Sequence, residues 1–278
     1  MTPDRVAADR SSSGSAEVIG LIPAAGRSAR LQPIPCSKEL LPIGFHESPR
    51  TGRLTPKVAS HYLLEKFHVA GIRRTYIVIR EGKWDIPKYF LTGDLLDMSL
   101  AYVVIPESIG PPDTIDRAYP FVKQSRIAFG FPDILFGPPD AYTQLIRKQD
   151  DTAADVVLGL HRIDEPNTWD MVATEADGLV KRIEMKPATT ELVFGWHFAV
   201  WTPVFTEFLH RFLRSEKTMH DIALMRSAAN DPSGDLALGI VLQAALADGL
   251  TVQSVSFPGD SPLDLGSPEN LRRASRMA

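Results

Sequence analysis

The segment Val18–Gly44, VIGLIPAAGRSARLQPIPCSKELLPIG, puts an apolar run, a turn of small residues, two arginines and a lysine within one stretch. The side chains of Ala24, Ala25, Gly26, Ser28 and Ala29 are too small to block an approaching ligand, so backbone N–H groups can reach phosphate oxygens. Arg27, Arg30 and Lys38 add cations beside those amides, and a polyphosphate needs both hydrogen bonds and charge compensation. The same order of residues also describes a strand followed by an ordinary surface turn with solvated cations. No GK[ST] follows the small residues, and Gly26 is the one glycine of the turn, so neither a Walker loop nor a GxGxxG fingerprint is present.

Polyphosphate chemistry calls for a divalent cation, and magnesium takes one or two carboxylates with water and phosphate completing its shell. Asp133 in GFPDILFG and Asp264 in PLDLGSPENL stand in suitable contexts. Asp133 follows a predicted strand at its carboxyl end. Asp264 also reads as a turn residue before a helix capped by Ser267 with Pro268 at its first position. The histidines show no metal-ligand spacing and read as core or surface residues. The single cysteine, Cys36, allows no internal disulfide and no Cys-rich zinc site, which points to a reducing, cytoplasmic setting.

The elements that must position these groups alternate in type. Val18–Pro23 is a buried strand by its apolar, β-branched run. Thr55-Pro56 reads as a helix N-cap with proline at the first helical position, followed by Val58, Tyr62, Leu63, Phe67 and Val69 at helical spacing until Gly71. Strands follow at Thr75–Ile79, Leu100–Ile105, Arg126–Phe129 and Asp155–Leu160, with helices at Asp113–Lys123 and Pro139–Arg147. Trp169–Trp201 breaks into short strands and turns, a β-rich lobe. Helices at Pro203–Arg214, His220–Ala228 and Leu236–Asp248, a strand at Thr251–Phe257 and a short helix from Pro268 complete the chain. The alternation predicts an α/β fold with a doubly wound, mostly parallel sheet, whose ligands bind at the carboxyl ends of the strands.

With 278 residues, 44% hydrophobic and 23% charged, the chain can bury a substantial core. A formal charge of −4, from 30 basic and 34 acidic residues, gives no reason to invoke nucleic acid or a membrane surface. Residues 1–16 lack the apolar core of a secretory signal and read as a disordered tail.

The motifs resemble those of the nucleotidyltransferases that make nucleotide sugars, of the glucose-1-phosphate thymidylyl- and uridylyltransferase type. Ala24–Leu31, AAGRSARL, is similar to the family's AGGxGTR-like loop; Pro33 and KELLPI at Lys38–Ile43 follow in order. GFPDILFG resembles LGDNIF, with Asp133 or its neighbour Pro132 at the aspartate's place, and PLDLGSPENL resembles WxDxGTPExL. RIEMKP lies where the family has EEKP.

The resemblance implies a Rossmann-like nucleotidyltransferase fold with a smaller β-rich sugar-binding lobe. It implies a single domain over residues 17–278, divided into a nucleotide-binding part, 17–165, and a sugar-phosphate-binding lobe with C-terminal helices, 166–278. The implied reaction joins a nucleoside triphosphate and a sugar-1-phosphate to give a nucleotide sugar and pyrophosphate. By resemblance Arg30 and Lys38 are catalytic, on the leaving pyrophosphate and the α-phosphate. Ala24, Ala25, Gly26, Arg27, Ser28, Asp113 and Thr114 bind the nucleotide, Lys186 and Gly195 the sugar phosphate, and Asp133 and Asp264 hold Mg²⁺. A homo-oligomer is also implied.

Several positions depart from the pattern. Met185 replaces the glutamate that holds sugar hydroxyls, Asp170 and Thr114 replace glycines, and Ile105 stands where a base-reading glutamine is placed. The opening IPAAG also resembles the cytidylyltransferases of isoprenoid synthesis, so a cytidylyltransferase acting on a polyol or isoprenoid-precursor phosphate is a second expectation. A catalytically impaired nucleotide-binding homologue is a third. A dehydrogenase of the NAD type lacks its glycine turn.

Overall fold

The computed structural model describes residues 16–48, 52–215 and 235–276. The expected tail, up to residue 15, and the expected helix His220–Ala228 lie outside the described residues.

Strands β1 (Val18–Ala24), β2 (Pro42–Glu47), β3 (Leu54–Val58), β4 (Arg74–Arg80), β5 (Ser99–Ile105), β6 (Arg126–Gly130) and β7 (Ile134–Leu135) precede β8 (Val156–Arg162). They are followed by β9 (Met171–Thr174), β10 (Val180–Glu184), β11 (Phe194–Trp201), β12 (Val252–Phe257) and β13 (Leu263–Asp264). Helices α1 (Ala59–Val69), α2 (Asp85–Phe90), α3 (Pro111–Asp116), α4 (Tyr119–Val122), α5 (Ala141–Thr152), α6 (Pro203–Arg214), α7 (Leu238–Ala247) and α8 (Pro268–Ala274) fill the intervals.

A nine-stranded sheet forms the centre. β5, β4, β1 and β6 run parallel in that order. β11 then pairs antiparallel with β6 on one side and with β8 on the other, and β12 lies parallel to β8. The β9–β10 hairpin joins the same sheet through Met171, opposite Gly195. Both faces are covered, which is why the central strands read as near-continuous apolar runs. On one face Ile19, Leu21, Phe129 and Leu158 pack with Ile115, Phe205 and Val241 of α3, α6 and α7. On the other, Ile22, Ile79, Val157 and Val200 pack with Leu63, Phe67 and Tyr142 of α1 and α5.

This packing depends on a missing side chain at Gly159, where a β-carbon would lie 2.1 Å from the ring of the fully buried Phe198. Gly159→Ala is expected to destabilise the fold by roughly 1–3 kcal/mol through overpacking. A chemical-denaturation midpoint equal to the parent's would contradict that packing.

Two helical expectations are corrected. Thr55-Pro56 does not start a helix; Leu54–Val58 pairs with β2 in a separate two-stranded sheet, and α1 begins at Ala59. In a two-stranded ribbon each strand is an edge, where a proline without an N–H is tolerated. The expected helix Asp113–Lys123 divides into α3 and α4, because Pro120 cannot donate back to the Asp116 carbonyl. The short helix at Pro268 forms as expected, with Ser267 Oγ accepting the Asn270 N–H at 3.3 Å. Among the described residues, no helix is long and apolar enough to cross a membrane.

Candidate active site

The carboxyl ends of β1 and its parallel neighbour β6 open toward the same end of the sheet. β1 stops at Ala24, and a loop of small residues leads into a 3₁₀ turn at Ala29–Leu31, entered through Ser28 in the left-handed region at φ 55°. Ala24 and Ala25 are buried, whereas Gly26 and Arg27 are exposed. A β-carbon at Gly26 would meet nothing within 4 Å, so this turn of backbone faces open space. Arg27 pairs with Glu107 of the loop after β5 at 3.0 Å, both largely exposed.

β6 delivers Asp133, and the short β7–β13 ribbon brings Asp264 to it. Ile134 stands opposite Asp264, and the Leu265 N–H donates to the Asp133 carbonyl at 2.9 Å. Lys38 Nζ donates to Asp133 Oδ2 at 2.5 Å, and the Arg30 guanidinium lies 3.6 Å from Asp264 Oδ2. The register thus puts Asp133, and not Pro132, against the lysine. Asp264 Oδ1 accepts the Gly266 N–H at 2.8 Å. A β-carbon at Gly266 would come within 2.6 Å of the Arg30 guanidinium, so glycine permits the Arg30–Asp264 approach.

Each charge in this cluster acts on its neighbours. Burial alone would lower Lys38, but Asp133, Glu39 and Asp264 outweigh it and hold the ammonium above its usual range. Burial and the charge of Asp133 push Asp264 up, against Lys38, the Gly266 N–H and Arg30. Two oxygen-bearing carboxylates held close enough to repel fit a hard divalent cation such as magnesium.

Asp113 and Thr114 occupy the first turn of α3, where both build the preceding loop. Asp113 Oδ2 accepts the Ile109 N–H at 3.2 Å, and Thr114 Oγ1 donates to the Gly110 carbonyl at 3.1 Å. Gly110 itself, at φ 139°, packs against the Leu236 backbone with no room for a β-carbon.

Lys186 and Gly195 form a second group at the same end of the sheet. β11 runs antiparallel to β6 with Phe198 opposite Gly130, so Gly195, near its start, lies beyond the carboxyl end of β6. Lys186 follows β10 in the left-handed region at φ 40°. Asp170, a residue with no role in the sequence reading, accepts N–H groups of Lys186 and Gly239 and lies beside the Lys186 charge. A β-carbon at Gly239 would sit 2.4 Å from Asp170 Oδ2 and 3.3 Å from Met185 Cγ.

Burial pushes Asp170 up to about 6, against the pull of Lys186 and those backbone N–H groups. Its folded value lies above the ordinary 3.8, so the folded protein keeps this proton at pH values where the unfolded chain has lost it. The stabilisation is therefore present below about pH 4 and lost as pH rises to about 6. Asp170→Asn is expected to flatten that stretch of the Tm-against-pH curve relative to the parent. A constant Tm difference between the two proteins from pH 4 to 6.5 would contradict this.

Among the described histidines, His61, His161 and His197 are buried core residues. His161 Nε2 lies 2.8 Å from the Gly137 carbonyl and its Nδ1 lies 2.9 Å from His197 Nε2, so two neutral rings form one buried chain. Sequence reasoning also missed Lys83, a buried lysine beside Glu39. An isolated lysine after a strand carries no periodic signal.

The family model for nucleotidyl transferases matches residues 19–278. No curated protein matches the chain. Among solved structures, a UDP-glucose pyrophosphorylase complexed with UDP-glucose is 18% identical with a TM-score of 0.73, over 94% of this chain and 98% of that one. A UTP-bound UGPase from Acinetobacter baumannii is also 18% identical, with a TM-score of 0.70 over 94% and 93%. A structure from Bacillus anthracis, assigned as a glucose-1-phosphate thymidylyltransferase and solved with sucrose, is 17% identical, with a TM-score of 0.73 over 94% of both chains. These structures share the α/β architecture and its mostly parallel central sheet. The sequence match spans the sheet, the small-residue loop and both aspartates, and the protein belongs to the nucleotidyl transferase family.

Proposed function

We propose that the protein joins a nucleoside triphosphate and a sugar-1-phosphate, or a similar phosphate, releasing pyrophosphate in a magnesium-dependent reaction. The observation that carries this reading is the convergence of Arg30, Lys38, Asp133 and Asp264 at the carboxyl ends of β1 and β6. The solved relatives bound to UDP-glucose and UTP support the same class of ligands.

In this reaction a phosphate oxygen of the acceptor attacks the α-phosphorus. A new P–O bond forms there while the bond to the bridging oxygen of the β-phosphate breaks, and pyrophosphate leaves with that electron pair. The nucleophile is already an anion, so no covalent enzyme intermediate is needed, and catalysis consists of aligning two repelling anions and offsetting the developing charge. Lys38 neutralises the α-phosphate, Arg30 the leaving pyrophosphate, and Lys186 the acceptor's phosphate. The backbone from Ala24 to Ser28 cradles the triphosphate. Asp133 and Asp264 would hold magnesium, which when bound supplies Lewis-acid charge stabilisation.

Met185 is substantially exposed beside Lys186 and offers a thioether where a carboxylate would accept sugar hydroxyls. This favours an acceptor with fewer hydroxyls, such as a deoxysugar or cyclitol phosphate, over glucose-1-phosphate. The test is magnesium-dependent pyrophosphate release across the common nucleoside triphosphates and a panel of sugar, cyclitol and polyol phosphates. One reactive pair, lost in Lys38→Ala, is expected. Nucleotide binding with no release from any pair would favour a catalytically impaired homologue.

A further inference from the structure

One loop grips the chain on both sides of Lys38. β4 pairs with β1 so that Ile79 faces Ala24, and the residues after β4 emerge beside the start of the small-residue loop. From there Lys83 Nζ donates to the Ala24 carbonyl at 2.9 Å and to Glu39 Oε1 and Oε2 at 2.7 and 2.9 Å. Two residues on, the Asp85 carboxylate accepts the Ser37 N–H at 2.6 Å and the Ser37 hydroxyl at 2.7 Å. Ser60 Oγ adds a bond to the Glu39 carbonyl at 2.8 Å.

Lys83 and Glu39 are 7% and 2% exposed, so neither charge is solvated, and each persists because the other is present. An ammonium has three donors and no acceptor, and the three contacts of Lys83 account for them. The pair therefore has no spare donor for a ligand, and its contacts end on two backbone segments that flank the candidate phosphate site. Serine and glutamate on either side of Lys38 are both fixed, which sets the backbone position from which its side chain reaches Asp133 at 2.5 Å.

We propose that Lys83 and Asp85 are positioning residues for this site: Lys83 sets where the small-residue loop leaves β1, and with Asp85 it fixes the turn that aims Lys38 at Asp133. This inference rests on the proposed transferase reading for the role of Lys38. Lys83 acts through Ala24 and Glu39, and Asp85 through Ser37.

The experiment compares Lys83→Met, the double variant Lys83→Met with Glu39→Met, and Asp85→Asn, in Tm, nucleoside triphosphate affinity and turnover. Lys83→Met strands the Glu39 charge and lowers Tm. The double variant removes both buried charges and is expected to regain most of the lost Tm, while kcat stays about tenfold or more below the parent's. Its KM for the acceptor phosphate is expected to stay within about twofold, because Lys186 is untouched. Asp85→Asn, which replaces one acceptor oxygen by a donor and so leaves a backbone N–H without its partner, is expected to lower kcat about threefold or more with a modest loss of Tm.

A merely structural pair predicts the opposite: turnover returns with Tm in the double variant, and that result overturns the proposal. Parent-like kcat in Asp85→Asn overturns the part assigned to Asp85. A silent parent protein would count against the transferase reading alone. Positioning is then read from nucleotide affinity, where the double variant is expected to bind about fivefold more weakly or worse, and equal affinity overturns it. A parent without nucleotide affinity overturns both.

Discussion

Lys38→Ala is expected to lower pyrophosphate release by about 10²–10³-fold, the effect of losing one preorganised charge-stabilising donor in an active site. The lysine is mostly buried, 2.5 Å from Asp133, and its neighbours hold it above the ordinary lysine range. It is therefore fully charged at any working pH, and its removal takes away a fixed cation rather than a titrating group. Removal has a second consequence, because Asp133 loses its partner while Asp264 remains beside it. Two neighbouring carboxylates with less compensation repel more strongly, so Tm is expected to fall as well. Steady-state kinetics on purified variants check the first effect and thermal scans the second. Turnover within threefold of the parent would remove Lys38 from the mechanism.

Asp264→Asn is expected to separate stability from activity. Burial and the Asp133 charge both oppose ionisation of Asp264, so a neutral amide of the same shape relieves repulsion and still accepts the Gly266 N–H. Tm in the absence of metal is expected to be no lower than the parent's. Turnover is expected to fall about 10³-fold, corresponding to the several kcal/mol of transition-state stabilisation that a bound metal supplies. The magnesium concentration needed for half-maximal activity should rise in whatever activity remains. A variant that is both less stable and fully active would mean that Asp264 serves the β7–β13 ribbon and nothing else.

Most of what the sequence made legible lies in patterns with a short range. The central strands were readable because burial on both faces writes an apolar run into each, as at Val18–Pro23 and Arg126–Phe129. Asp133 and Asp264 were readable as separate motifs, but nothing in either motif says that Leu265 donates to the Asp133 carbonyl. The β2–β3 ribbon was illegible for a related reason. Thr55-Pro56 has the local chemistry of a helix start, and pairing with Pro42–Glu47 overrode it. Lys83 and Glu39 stayed hidden, and Asp170 stood out only as a departure from a family glycine, because a buried polar residue's role is recognisable only through partners distant in the chain, here Ala24, Lys186 and Gly239. Asp113 and Thr114 stood in a nucleotide-binding segment by motif, whereas their side chains bond the loop at Ile109 and Gly110.

The central claim is attack on the α-phosphorus, and the fate of an isotopic label tests it most directly. The protein, magnesium and a pool of sugar and cyclitol phosphates are incubated with nucleoside triphosphates labelled at the α- or the γ-phosphorus. α-Label is expected to enter a nucleotide sugar, γ-label to appear only in pyrophosphate, and both transfers to be lost in Lys38→Ala. γ-Label carried to the acceptor phosphate, or to free inorganic phosphate without pyrophosphate, would contradict that claim.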